Sequence, residues 1–164
     1  MADRLYGPVR RWLVRAAMTL AHRLLVMRWF VTRPRTFGVR AIVLTPEGRI
    51  VLIRHSYVRG WYLPGGGRAR DEAPQAAILR ELREEIGLEG HGRIRHLGCY
   101  EHRPNHKRDR LDLFLIEGVR YRWRPSFEIE EVGEFDPRAL PDDVSARSYA
   151  DVTRWLTADV PPDG

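Results

Sequence analysis

Short apolar runs separated by turn residues predict a chain of strands that is interrupted by two helices. Each predicted strand is marked by apolar residues, often in alternation with polar ones, and is bounded by turn-forming residues. The predicted strands cover residues 38–45, 49–55, 61–64, 94–102 and 109–121 and the end of 126–135. A Pro-Glu-Gly turn at 46–48 joins the first two strands, so a β-hairpin is expected there. The strand at 61–64 is expected to run into a glycine loop at 65–67.

Two segments have the spacing of amphipathic helices. Pro74 suits the first turn of the first helix, whose pattern continues to about Ile86 and ends at Gly87. The second helix is predicted over residues 142–156. Its inward face is expected to consist of Val144, Tyr149, Val152 and Trp155. Strands around one central helix, with another helix at the end, predict an α/β sandwich with a mixed sheet.

The first helix carries an acidic face in addition to an apolar one. The stripe expected to pack on the sheet consists of Leu79, Leu82 and Ile86. A different face carries Glu81, Glu84 and Glu85, and Ala73 and Ala77 are expected to leave space beside it. Like charges four residues apart destabilise a bare helix by a few tenths of a kcal/mol. A bound Mg²⁺ or Mn²⁺ would remove this repulsion, because such ions prefer hard oxygen ligands.

A solvated charged surface is the alternative interpretation of these glutamates, since Arg80 and Arg83 would balance them through local ion pairs. The glycine loop at 65–67 lies immediately upstream of the helix. Glycine lets the backbone come close to a phosphate or a metal. The combination of loop and helix therefore favours a metal site.

Residues 66–88, GGRARDEAPQAAILRELREEIGL, resemble the Nudix box of the Nudix hydrolase superfamily. The matching positions are Gly66, Glu72, Arg80, Glu81, Leu82, Glu84, Glu85, Gly87 and Leu88. The resemblance implies a Nudix domain over residues 35–160, with a Nudix-type α/β/α sandwich and a mixed β-sheet. Asp71 and Ala73 differ from the residues that are common at their positions, but both are turn or cap positions and neither is an implied ligand.

The resemblance also implies an activity, a cofactor and a set of ligands. The implied enzyme is a metal-dependent pyrophosphohydrolase, which cleaves the diphosphate of a nucleoside diphosphate derivative by attack of water on phosphorus. The derivative would be of the nucleotide sugar, ADP-ribose or CDP-alcohol type, and Mg²⁺ would be the cofactor, with Mn²⁺ as a substitute. The implied metal ligands are the Gly65 carbonyl, Glu81, Glu84 and Glu85. Glu72 would be a secondary ligand or a structural anchor.

The implied catalytic set combines helix residues with a later carboxylate. Glu84 and Glu81 act from the helix, and Arg80 would organise the carboxylates of the box. The segment 127–134 is rich in glutamate, and Glu128 or Glu131 is the expected additional ligand or general base. A Glu-rich surface loop is the alternative for each of these residues.

Substrate contacts are expected in the segment that leads into the glycine loop, because it combines basic and aromatic residues. The expected contacts are Arg54, His55, Tyr57 and Trp61, together with the backbone of Gly66 and Gly67. Trp61 and Tyr62 alternate along a strand, so at least one of them is expected in the core. The basic loop within 103–110 would suit a polyanionic substrate or form a solvated turn.

Two other functions remain open at the level of the sequence. One is a (d)NTP or RNA 5′-end pyrophosphohydrolase, and the other is a non-catalytic nucleotide-sensing Nudix module. The complete glutamate set favours an enzyme, since a sensor has no need of three metal ligands. No specific nucleic acid partner is expected.

Composition supports one ordinary domain with a small appendage. The chain has 164 residues, of which 43% are hydrophobic and 30% charged. The net charge of +6 favours anionic partners, and nearly all the basic residues are arginine. Cys99 is the single cysteine of the sequence. A single cysteine excludes a disulfide within this sequence, and such low cysteine usage predicts a reducing compartment, the cytoplasm.

Residues 1–34 are predicted to form a basic amphipathic N-terminal helical arm. No Asp or Glu occurs between Arg4 and Pro46, while arginines recur throughout this stretch. These arginines interrupt every window of about 20 residues that a transmembrane helix needs. With its tryptophans, the arm is typical of a helix that lies on the inner face of a membrane. The alternative is that it packs on the domain or on a second subunit of a homodimer.

Overall fold

The computed structural model describes residues 35–102 and 108–158. The predicted N-terminal arm and part of the basic loop at 103–110 lie outside these residues. Within the described ranges, no helix combines the length and the hydrophobicity that are needed to cross a bilayer.

The described chain consists of eight strands and two helices. The strands are β1 (Arg35–Val43), β2 (Ile50–His55), β3 (Gly65–Arg68), β4 (Leu88–Gly90), β5 (Ile94–His102), β6 (Arg108–Ile116), β7 (Arg120–Tyr121) and β8 (Ile129–Phe135). The helices are α1 (Pro74–Ile86) and α2 (Ala146–Ala158). The predicted bounds of α1 and β5 are confirmed.

A mixed four-stranded sheet with the order β3-β1-β6-β5 lies at the centre of the fold. β1 and β6 are parallel, and β3 and β5 run antiparallel to their neighbours. Alternate residues of β1 enter two separate cores. Val39, Ala41 and Val43 pack in the core that α1 completes, whereas Ile42 packs in the core that contains Val152 of α2. This arrangement confirms the expected α/β sandwich with its mixed sheet.

The hairpin expected between residues 38–45 and 49–55 is wrong. Among the described residues, the ladder between the two segments is limited to a bridge between Leu44 and Ile50 and a hydrogen bond from the Thr45 N–H to the Arg49 carbonyl, both at the turn that follows β1. Both edges of β1 are already occupied, by β3 on one side and β6 on the other. β2 therefore leaves this sheet after the turn and pairs antiparallel with β8.

Three further expectations about local structure need correction. The glycine loop is a strand, because residues 65–68 pair with β1. The strand predicted over 109–121 is divided into β6 and β7 near Gly118, whose φ of 64° requires the left-handed region. The second helix begins at Ala146 and not at residue 142, so Val144 precedes it; Val152 is buried as expected, but Tyr149 is 55% exposed.

Gly87 ends α1 and joins it to the small β4–β7 sheet. Its φ of 70° is left-handed, and its N–H donates to the carbonyl of Leu82, as in a helix C-cap. The Gly87 carbonyl accepts the N–H of Arg122 at 2.9 Å. A Cβ at this position would overlap the backbone oxygen of Arg122. The end of the helix is therefore determined by both conformation and close packing.

We expect Gly87→Ala to destabilise the protein more than Gly48→Ala, its matched control. Gly48 also has a positive φ, 76°, but a Cβ there meets nothing within 4 Å. Backbone strain alone costs about 1–2 kcal/mol, and the clash at Gly87 adds about 1–3 kcal/mol. Urea unfolding of the two variants measures the difference. Equal losses of unfolding free energy would show that packing against Arg122 is unimportant.

Candidate active site

The candidate site begins where β3 passes over α1. Gly65 adopts a φ of 145°, and a Cβ there would overlap the carbonyl oxygen of Val39 in the neighbouring strand. The N–H of Gly65 donates to Oε2 of Glu85 at 2.8 Å. The first glycine of the segment therefore allows β3 to approach β1 and attaches the strand to the helix.

Glu85 is buried, which differs from the expectation that all three helix glutamates lie outside the packed stripe. It is 6% exposed and lies on the side of α1 that includes Ala77, itself fully buried. Ala77 therefore packs in the core and leaves no open space beside the glutamates. Burial raises the pKa of Glu85 to about 9, and the charges of Glu81 and Glu128 act in the same direction, while the Gly65 N–H opposes the shift.

Glu81 and Glu84 extend the acidic face from the interior to the surface. The side chain of Glu81 is 13% exposed and that of Glu84 is 58% exposed. Desolvation raises the pKa of Glu81, as do the nearby charges of Glu84 and Glu128, and Arg80 opposes this effect. A Cβ at Gly66 would occupy the position of the Glu81 carboxylate. Glycine at this position therefore makes room for a carboxylate.

Arg80 connects the loop before α1 to the glutamates. Its Nε and Nη2 donate to the two oxygens of Glu72 at 3.0 and 3.2 Å, a bidentate arrangement. Nη1 donates to Glu81 at 2.7 Å and Nη2 to the carbonyl of Gly67 at 3.0 Å. Glu72 in turn accepts the N–H of Ala69 at 3.2 Å. The hydrogen bonds from Arg80 lower the pKa of Glu72.

Arg68 supports the same loop, although it was not among the residues expected in the site. Its Nη1 donates to the carbonyls of Ala69 and Glu72 at 3.2 and 3.0 Å. Its Nη2 lies 3.5 Å from Oδ2 of Asp112, a carboxylate that is 6% exposed. Arg68 is one of many arginines in the chain and had no distinguishing mark. Asp112 could be recognised from the sequence, because it is an acidic residue within an apolar strand.

The segment before β8 brings one of the two expected loop glutamates to the site. The negative charge of Glu128 helps to raise the pKa of both Glu81 and Glu85, so Glu128 is near enough to interact electrostatically with the two helix glutamates. Glu131 is placed elsewhere, since its Oε2 accepts a hydrogen bond from Nη1 of Arg54 at 3.1 Å. Its position opposite Arg54 on β8 directs it away from the helix glutamates.

A cleft of about 400 Å³ is linked to this carboxylate cluster through Tyr57, which lines the cleft and interacts electrostatically with Glu128 and Glu85. Arg54, His55 and Tyr57, three of the expected substrate contacts, line it together with Glu130 and Asp143. Nη2 of Arg54 donates to Asp143 at 2.9 Å. Burial lowers the pKa of His55, so this ring is neutral at neutral pH.

The other expected substrate contacts are placed differently. Trp61 is 5% exposed and packs against Phe135, with 4.9 Å between ring centroids. The guanidinium of Arg54, which lines the cleft, lies 4.4 Å from the centre of its ring, so Trp61 packs against a residue of the cleft from the core. Gly66 and Gly67 lie in β3, where the carbonyl of Gly67 already accepts a bond from Arg80.

The donor set fits a hard divalent cation. Four carboxylates, those of Glu81, Glu84, Glu85 and Glu128, interact electrostatically, and burial together with their mutual repulsion raises the pKa of the two that are buried deepest. In residues 35–102 and 108–158, no three acidic, histidine or cysteine side chains are arranged closely enough to enclose an ion as they stand. Arg80 binds Glu81 and Glu84, so a cation would compete with it for these oxygens.

Comparison with known proteins identifies the family. The model of the NUDIX domain matches residues 34–156. The chain belongs to the NUDIX domain family. The fold of this NUDIX protein is similar to that of a MutT NUDIX hydrolase from Burkholderia pseudomallei, with a TM-score of 0.63 and 24% identity over 73% of this chain and 97% of the other.

Curated relatives of this NUDIX chain match it over shorter stretches. An RNA pyrophosphohydrolase from Methylococcus capsulatus is 47% identical over 52 residues, which are 32% of this chain and 27% of the relative. The human diphosphoinositol polyphosphate phosphohydrolase 2 is 32% identical over 85 residues, 51% of this chain and 46% of the relative. The chain thus spans between about a quarter and a half of the length of these relatives.

We expect Glu85 to make the metal-free protein less stable as the pH rises. Its folded-state pKa of about 9 exceeds the ordinary value of 4.5. Its contribution to stability is therefore complete below the ordinary pKa and is lost between about pH 5 and about pH 9, by a few kcal/mol. Glu85→Gln should abolish this part of the dependence and stabilise the metal-free protein at alkaline pH.

Urea unfolding in EDTA across this range measures the effect, with Glu84→Gln as the control. Glu84 is adjacent in sequence and exposed, so its variant should keep the slope of the wild type. Parallel curves for Glu85→Gln and the wild type would contradict the prediction.

Proposed function

We propose that this NUDIX protein is a metal-dependent pyrophosphohydrolase that cleaves the diphosphate of a nucleoside diphosphate derivative by attack of water on phosphorus. The nucleotide sugar, ADP-ribose and CDP-alcohol types are the proposed substrate class. The observation that carries the proposal is the group of four interacting carboxylates, those of Glu81, Glu84, Glu85 and Glu128, near β3. The names of the two curated relatives, a pyrophosphohydrolase and a phosphohydrolase, support hydrolysis.

The proposed roles follow from the placement of each group. Glu81, Glu84 and Glu85 would hold Mg²⁺, for which Mn²⁺ would be a substitute, with the Gly65 carbonyl as a further ligand. When bound, the ion neutralises charge on the diphosphate oxygens and lowers the pKa of the attacking water. Glu128 serves as an additional ligand or accepts the proton of that water. Arg80 is a positioning residue, which fixes the helix carboxylates relative to the loop before α1.

The charge of the adjoining cleft supports a substrate with an uncharged nucleoside or sugar. Its lining contains two arginines, Arg54 and Arg59, and two carboxylates, Glu130 and Asp143. Arg54 is engaged by carboxylates at 3.1 and 2.9 Å. A lining in which the charges balance gives no strong attraction to a further polyphosphate, whereas carboxylates accept hydrogen bonds from hydroxyl groups.

The local identity to an RNA pyrophosphohydrolase makes RNA 5′-end hydrolysis the second candidate. A substrate panel separates the two. It contains nucleotide sugars, ADP-ribose, CDP-alcohols, nucleoside triphosphates, 5′-triphosphorylated RNA and a diphosphoinositol polyphosphate, each with Mg²⁺ and with EDTA. Release of two monophosphates, abolished by EDTA, is the expected result. Pyrophosphate from RNA would favour the second candidate, and metal-dependent binding without hydrolysis would indicate a sensor.

We expect Glu84→Gln to lower kcat by about 100-fold or more on the best substrate, because it removes a proposed ligand. Its exposure means that the fold should be retained. Glu89→Gln is the matched control, since Glu89 is also exposed and its carboxylate pairs with Arg122 at 3.1 Å. Steady-state kinetics and Mn²⁺ titration compare the two variants. A normal kcat in Glu84→Gln would contradict the proposed ligand set.

A further inference from the structure

Glu128 reaches the site from a segment without regular secondary structure, so other contacts must hold it. It directly precedes β8 and follows a stretch of coil and bend from residue 122. The N–H of Ser56 donates to the Glu128 carbonyl at 2.9 Å, and Oγ of Ser56 donates to the Phe127 carbonyl at 2.6 Å. Ser126 closes the segment on itself, because its Oγ accepts the N–H of Ile129 at 2.9 Å.

A bulge between β2 and β8 determines which residue meets Ser56. Arg54 lies opposite Glu131, but the next residue, His55, lies opposite Ile129, so Glu130 is an extra residue on β8. Regular pairing would have continued from Glu131 to Glu130. The bulge shifts the register by one residue and brings Glu128 opposite Ser56 and next to Tyr57.

The side chain of Tyr57 completes this contact. The backbone bond of Ser56 brings Tyr57 next to Glu128, and the Tyr57 hydroxyl is within reach of the Glu128 carboxylate as a hydrogen-bond donor. The Tyr57 ring packs on His55, with 5.1 Å between centroids. Burial and the charges of Glu128 and Glu85 raise the pKa of Tyr57 to about 12, so the phenol keeps its proton at neutral pH and remains a donor.

We propose that Tyr57 is a positioning residue that holds the Glu128 carboxylate beside the helix glutamates, an inference that rests on the proposed function. Tyr57 then acts through Glu128 and not as a substrate contact. We call the contacts of Ser56 and Tyr57 with Glu128 the clamp. The clamp links the two sheets at the site, because Ser56 and Tyr57 directly follow β2, whereas Glu81 and Glu85 belong to the helix that packs on the central sheet. Loss of the hydroxyl should free the Glu128 carboxylate to rotate and should loosen the backbone segment that carries it.

The test is a double-mutant cycle of Tyr57→Phe and Glu128→Gln, with Tyr121→Phe as the matched control. Tyr121 also donates to a glutamate of the β8 strand, Glu134, at 2.8 Å, and neither residue touches the helix glutamates in any described contact. Tyr57→Phe should lower kcat about 10- to 100-fold with KM nearly unchanged, because a small misplacement of a reacting group has effects of this size. In the Glu128→Gln background, the same change should have less than about a twofold further effect.

A raised KM in Tyr57→Phe, or a loss that multiplies with that of Glu128→Gln, would overturn the inference and indicate a substrate contact. A kcat equal to that of the wild type would overturn it as well. Tyr121→Phe should keep the wild-type kcat and KM. A loss in this control equal to that in Tyr57→Phe would show a general effect of removing a tyrosine hydroxyl.

Hydrogen exchange of the Ser56 amide, followed by NMR on the metal-free protein, provides a readout besides activity. The amide donates to the Glu128 carbonyl, so loosening of the clamp should accelerate its exchange about tenfold in Tyr57→Phe and leave it unchanged in Tyr121→Phe. Unchanged exchange in Tyr57→Phe would overturn the inference. Ser56→Ala, which removes the bond to Phe127, is the second variant and should accelerate the same amide.

Failure of the proposed function and failure of the clamp are distinguishable. If the wild type hydrolyses nothing in the panel, the proposed function fails, and the exchange experiment still tests the clamp. If the wild type is active and Tyr57→Phe behaves like it in both assays, the clamp alone fails.

Discussion

The burial of the Glu85 carboxylate is the constraint on which the site depends. Its oxygen accepts the N–H of Gly65, and only a residue without a Cβ fits where Gly65 approaches β1. The same helix face buries Ile78 and Leu82 in the core that α1 shares with the central sheet. One hydrogen bond therefore links the strand, the helix and the sheet, and it places a desolvated carboxylate at their junction. The neighbouring glutamates take their positions from this one through the geometry of the helix.

Two arginines stabilise the backbone that connects β3 to α1. Arg80 extends from the helix to Glu72 and the Gly67 carbonyl, and Arg68 extends from the strand to the carbonyls of Ala69 and Glu72. The planar guanidinium, with five donors, can satisfy several acceptors at once, which a lysine ammonium does less well. Part of the arginine bias of the chain thus has a structural role in the site, in addition to any attraction of anionic substrates.

The site also depends on the second sheet, which the hairpin interpretation would have placed elsewhere. β2 pairs with β8, and a bulge in this pair sets the register at which Glu128 meets Ser56. The cleft beside the carboxylates is formed largely by the residues that follow β2. Metal-binding groups and the cleft therefore come from different layers of the fold, and their relative position depends on the packing between the sheets.

Local patterns were sufficient to predict α1, β5 and the sandwich architecture, because periodicity and end signals act within a few residues. They could not predict that Glu85 is buried, since a helical angle does not say what lies opposite it. Nor could they separate Glu128 from Glu131, because a single bulged residue reverses which side chain faces the site. The burial of Trp61 in a core also depends on which elements pack against it, and the sequence does not show this packing. Sequence patterns determine faces and boundaries, whereas the partners of those faces depend on strand pairing between residues far apart in the chain.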